Sequence, residues 1–93
     1  MANLLSTSHK DLDIGQKLYI IEECGIDCSY FIEPWSLTEF VVSTEGIGCI
    51  KVKRGNNICF YDRQCFSKIF TVKNDAIQYC EDAGIAYGFL IND

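Results

Sequence analysis

Apolar side chains recur at Ile14, Leu18 and Ile21, a helical spacing. Asp13 stands where an N-cap is wanted, Gln16 completes a capping-box pattern, and Gly25 occupies the left-handed position beyond the end. The pattern predicts a helix over residues 13–24, although the run Leu18-Tyr19-Ile20-Ile21 also suits a strand and Gly15 weakens the first turn. Residues 27–33 alternate instead. Cys28, Tyr30 and Ile32 point one way, and Asp27, Ser29, Phe31 and Glu33 the other, the period of a strand. Pro34 is expected to end that strand, because proline cannot donate to a ladder. Residues 37–43, rich in β-branched and aromatic side chains, predict a second strand.

Residues 47–54 and 57–63 predict a hairpin around Arg54-Gly55-Asn56-Asn57. Opposed residues in a hairpin share a face, so loop length decides what is buried. A two-residue loop at Gly55 and Asn56 puts Lys51 and Lys53 beside Ile58 and Phe60. A three-residue loop groups Ile50, Val52, Ile58 and Phe60, leaving Cys49, Lys51, Lys53, Cys59, Tyr61 and Arg63 opposite. The second register segregates apolar from charged side chains, and burial favours it.

Residues 65–70 suit another short strand. Thr71 then reads as an N-cap for a helix in which Val72, Ala76, Tyr79, Cys80 and Ala83 recur at helical spacing, closed by Gly84. Residues 85–91 are apolar enough for a buried final strand, and residues 1–8 read as a frayed lead-in. The expected order is α-β-β-β-β-(β)-α-β: one small α+β domain over 1–93, with two helices and a largely antiparallel sheet of four to six strands.

Composition narrows the classes. At 93 residues with 48% apolar content the chain is a single folded domain rather than a disordered one. No stretch approaches the roughly 20 apolar residues that span a bilayer, so no membrane partner is expected. Residues 1–10 lack the basic and apolar regions of a secretory signal. A cytoplasmic location is therefore expected, with Cys24, Cys28, Cys49, Cys59, Cys65 and Cys80 as free thiols.

The net charge of −5 conceals a pattern. Residues 1–48 hold eight acids against Lys10 and Lys17, net −6; residues 49–73 hold six bases against Asp62, net +5; residues 74–93 hold four acids, net −4. A basic hairpin thus lies between two acidic segments.

Chemistry-bearing motifs are scarce. Cys24 and Cys28 are the only close cysteine pair, and a zinc site needs a second one. His9, the only histidine, reaches a cysteine only if the N-terminal segment folds back over the sheet. Glu22-Glu23 and Glu81-Asp82 are adjacent and do not face each other on a helix. Gly46-Ile47-Gly48 is a turn or strand bulge without the strand-to-helix context of a dinucleotide fingerprint. No enzyme activity, cofactor or metal is therefore expected.

The reading that remains is an interaction module: a small acidic inhibitor that binds and blocks a partner protein. Its character resembles phage and mobile-element products that evade host defence, anti-CRISPR proteins among them. Glu22, Glu23, Asp27, Glu33 and Glu39, with Trp35 as anchor, would meet a basic surface on a nucleic-acid-handling partner. A second reading is a nucleic-acid-binding module using Lys51, Lys53, Arg54, Tyr61 and Arg63. A third is a cysteine-based zinc or thiol protein. The plain alternatives are that surface charge merely solvates the fold and that Trp35 packs over the sheet. An exposed sheet edge is also open to pairing with a second copy.

Overall fold

A computed structural model describes residues 3–24 and 29–89. The domain is α+β, built on one six-stranded sheet. After two short 3₁₀ turns, Leu4–Ser6 and His9–Asp11, come β1 (Lys17–Cys24), β2 (Ser29–Ser43), β3 (Gly46–Arg54) and β4 (Asn57–Asp62). A third 3₁₀ turn, Arg63–Lys68, leads to β5 (Ile69–Phe70), then α1 (Lys73–Asp82) and β6 (Tyr87–Phe89). The sheet order is β4-β3-β2-β1-β5, all antiparallel, and β6 adds a parallel pairing to β2.

Several expectations are corrected. The helix over 13–24 is strand β1, so α1 is the one α-helix among the described residues. Leu18 and Ile20 face one side of the sheet, Tyr19 and Ile21 the other, and each side carries its own core. A strand buried on both faces reads as a continuous apolar run, from which a helical spacing is easily picked. The Gly25 cap and Cys28 and Asp27 of the expected strand lie outside the described residues. Pro34 does not end a strand, because β2 runs through it for 15 residues. β1 pairs along the first half of β2. On the other edge β6 pairs with Tyr30–Ile32 and β3 begins at Ser36, so Pro34 falls in the gap between them. Proline is tolerated at such an edge position.

The front face buries Leu18, Ile20, Trp35, Leu37, Ile50 and Val52 beneath Leu4, Leu12 and Phe66 from the turns. From residue 3 on, the expected frayed lead-in is docked: Leu4 is 1% exposed, and Asn3 bridges to Phe70. The main-chain oxygen of Asn3 accepts from Ser6 N, Ser6 Oγ and Thr7 Oγ1 at 3.0–3.1 Å. The back face buries Ile21, Ile32 and Phe70 under Ala76 and Cys80 of α1.

Residues 65–70 are mostly a 3₁₀ turn, with only Ile69 and Phe70 in a strand. Asp62 caps that turn through Gln64 N at 3.1 Å. The N-cap of α1 is Val72 rather than Thr71, and it makes no side-chain cap bond. The C-terminus is as expected: Gly84 has φ +68°, Gly84 N donates to Glu81 O and Ile85 N to Cys80 O, a Schellman closure. β6 is a short, partly exposed edge rather than a buried strand, and residues beyond 89 lie outside the described set.

Candidate interaction surface

The hairpin decides the site, and it takes the register that burial argued against. Arg54 pairs with Asn57 across a two-residue loop, Gly55 and Asn56, with Gly55 at φ +59°. Val52 therefore opposes Cys59 and Ile50 opposes Tyr61 on the front, while Lys53 opposes Ile58 and Lys51 opposes Phe60 on the back. Gly-Asn is a strong two-residue turn signal, and this local chemistry sets the register. The apolar side chains on this face meet no covering element among the described residues. Phe60 is 66% exposed, Val41 62% and Ile58 53%.

Two irregularities in β2 complete the surface. A register shift at Thr38 lets Glu39 oppose Lys51 on the back and Phe40 oppose Ile50 on the front. Thr38 Oγ1 donates to Lys51 O at 3.0 Å. A second shift beside Val41 and Val42 places Gly48 as the extra residue, so the Gly46-Ile47-Gly48 stretch is indeed a turn and bulge. Gly46, at φ +111°, needs the freedom of glycine there.

The back face thus has two halves. One is roofed by α1. The other, over β3, β4 and the end of β2, carries Val41, Ile58 and Phe60 among Glu39, Lys51, Lys53 and Asp62. Lys51 Nζ lies 5.7 Å from the Phe60 ring centroid and 3.9 Å from Glu39 Oε1. An apolar centre with a mixed-charge rim is the composition of an interaction patch.

The acidic and basic residues singled out from the sequence do not gather on one surface. Trp35 is 4% exposed, so it packs in the front core and offers no anchor. Its Nε1 donates to Glu33 Oε1 at 3.1 Å, and the Arg54 guanidinium stacks over its ring at 4.9 Å with Nη1 3.7 Å from Glu33 Oε2. Tyr61 Oη donates to Glu22 Oε1 at 2.5 Å. Burial and this bond hold the Tyr61 phenol protonated well above the usual tyrosine range. Glu22, Glu33, Arg54 and Tyr61 therefore tie strands together through side chains on the front, Tyr61 of β4 to Glu22 of β1 and Arg54 of β3 to Glu33 of β2. Glu23 and Glu39 are exposed on the back, and Asp27 lies outside the described residues. Arg63 stands on the third 3₁₀ turn, where its Nη1 donates to Glu45 O at 3.1 Å and ties that turn to the β2–β3 loop. Only Lys51 and Lys53 of the basic set share the open face, and Cys59 and Tyr61 are on the front rather than beside them.

A cleft of about 310 Å³ lies on the other side of Tyr61, lined by Glu22, Glu23, Gln64, Cys65, Ser67 and Lys68. His9 is exposed on the second 3₁₀ turn. Cys49, Cys59, Cys65 and Cys80 are free thiols, and among the described residues no cluster of three or more His, Cys, Asp or Glu side chains is arranged to hold a metal. Nor is any described helix long and apolar enough to cross a membrane. Compared with known proteins, the chain matches no family model, no curated protein and no solved structure.

Proposed function

We propose that this domain is a protein-interaction module that acts by covering a partner's surface with the open half of its back face. The observation that carries this reading is the exposed trio Val41, Ile58 and Phe60 on a sheet face that α1 leaves bare. Phe60 is the anchor, since a rigid exposed ring contributes large contact area at low entropic cost. Lys51 and Lys53 favour a partner with acidic groups around an apolar hollow. Immobilised chain, challenged with extract of the cells that make it, should retain a protein that Phe60→Ala releases and that Glu23→Lys, away from the open half, still holds. The opposite result moves the contact to the acidic side chains.

A second reading keeps the same face. Exposed Phe60 flanked by Lys51 and Lys53 also suits a base stacked on a ring with phosphates on the lysines. It predicts a low-salt gel shift of single-stranded oligonucleotides that Lys51→Ala with Lys53→Ala abolishes. No shift by the unaltered chain removes this reading.

A further inference from the structure

We propose that two copies of this chain join edge to edge through β4, continuing the sheet across a twofold axis. The exposed edges are not alike. β5 is two residues long, and Asn3 bridges to Phe70 beside it. β6 is three residues long. β4 has six residues, pairs with β3 along its whole length without a register shift, and carries no proline and no charge before Asp62. Among the described residues no strand pairs with its far side. Folded domains usually block a long edge with charge, proline or a bulge, and β4 has none of these along its middle.

The hairpin says which main-chain groups wait there. Residues flanking a two-residue turn form a hydrogen-bonded pair, here Arg54 and Asn57, and such pairs alternate along an antiparallel ladder. Asn57, Cys59 and Tyr61 therefore turn their N–H and C=O toward β3, while Ile58 and Phe60 turn theirs outward.

β4 is itself a suitable partner for this edge. In an antiparallel twofold pairing centred on Cys59, the outward groups of Ile58 meet those of Phe60 from the second copy, and the reverse. Opposed residues share a face, so the two Ile58–Phe60 pairs form one apolar strip on the back. The same sense brings Asp62 of the second copy opposite Asn56, beside the Lys53 end of the hairpin and on the same face as Lys53. The ends are thus complementary in charge. The isologous arrangement satisfies both β4 edges at once and closes, leaving no β4 edge for further growth. The pairing widens the open face without hiding it, so it stands apart from what that face binds.

Sedimentation equilibrium of the full chain under reducing conditions, with amide exchange followed by NMR, tests this. The mass should rise reversibly from 10.5 kDa toward twice that value with concentration. Ile58 and Phe60 amides should be protected only at dimer concentrations. Ile58→Lys with Phe60→Lys, both at exposed positions, should stay monomeric with an unchanged circular dichroism spectrum. A chain that remains monomeric at millimolar concentration overturns the proposal. So does a dimer in which those two amides exchange at one rate throughout, or one that survives in the double variant. Partner capture by a strictly monomeric chain would leave the interaction reading intact while removing this one.

Discussion

Replacing Phe60 by alanine separates the observed hairpin register from the alternative in which this ring is buried. With two-thirds of the residue exposed, only about a third of its burial contribution is at stake. Full burial of phenylalanine contributes roughly 1.5–3 kcal/mol, so the share here is about 0.5–1 kcal/mol. Loss of the Lys51 ammonium over the ring adds about 0.5 kcal/mol at an exposed site. The total expected is about 1–1.5 kcal/mol. A buried phenylalanine replaced by alanine costs roughly 3–5 kcal/mol, which is what the three-residue loop would require. Ile50→Ala is the internal standard: Ile50 is buried on the front, and its loss should cost roughly 2–5 kcal/mol. Urea unfolding followed by Trp35 fluorescence measures both, since the sole tryptophan lies in the front core. The slope of free energy on urea should be the same in all three chains. A loss of 3 kcal/mol or more at Phe60, or a loss exceeding that at Ile50, refutes the register and with it the open face.

Leu4→Ala should cost roughly 2–5 kcal/mol, whereas Leu5→Ala, at an exposed position one residue on, should stay within about 0.5 kcal/mol; equal midpoints in thermal melts would show the N-terminal segment undocked. Tyr61→Phe removes a bond to a carboxylate at a half-exposed site and should cost about 1 kcal/mol in urea unfolding. Because the folded state holds the Tyr61 proton above the ordinary tyrosine range near 10, its contribution is full below about pH 10 and is lost as pH rises further. Urea midpoints taken between pH 8 and 11 should therefore fall more steeply for the unaltered chain than for Tyr61→Phe, and parallel curves would exclude the Tyr61–Glu22 bond. A thiol reagent should label exposed Cys65 in the native chain. Cys80, buried on the sheet-facing side of α1 with its thiol pKa raised by that burial, should react only on unfolding, and prompt labelling of Cys80 would mean that α1 does not cover the sheet.

How far the fold was legible varies by element. The α1 region was read from apolar spacing and Gly84: Ala76, Tyr79 and Cys80 of that spacing pack on the sheet and the Schellman end keeps its glycine, whereas Val72 and Ala83 are exposed caps. β1 was misread for the converse reason. Flanked by α1 behind and the turns in front, its apolar run has no polar face from which a period could be taken. The charge-based site set was only partly informative. Spacing along the chain placed Lys51 and Lys53 together, but it could not place Glu22 beside Tyr61, 39 residues away, or Arg54 over Trp35.

By itself the sequence determined an α+β fold with a hairpin at Gly55 and a closed helix end at Gly84. Those properties rest on local chemistry: turn residues, caps and side-chain spacing. Tertiary structure alone decided which face of the hairpin is bare. That depends on where α1 comes to rest and how far it reaches, a matter of which apolar surfaces meet across the fold. Because α1 covers only the half of the back face near β1, Phe60, Ile58 and Val41 stay exposed instead of joining the core.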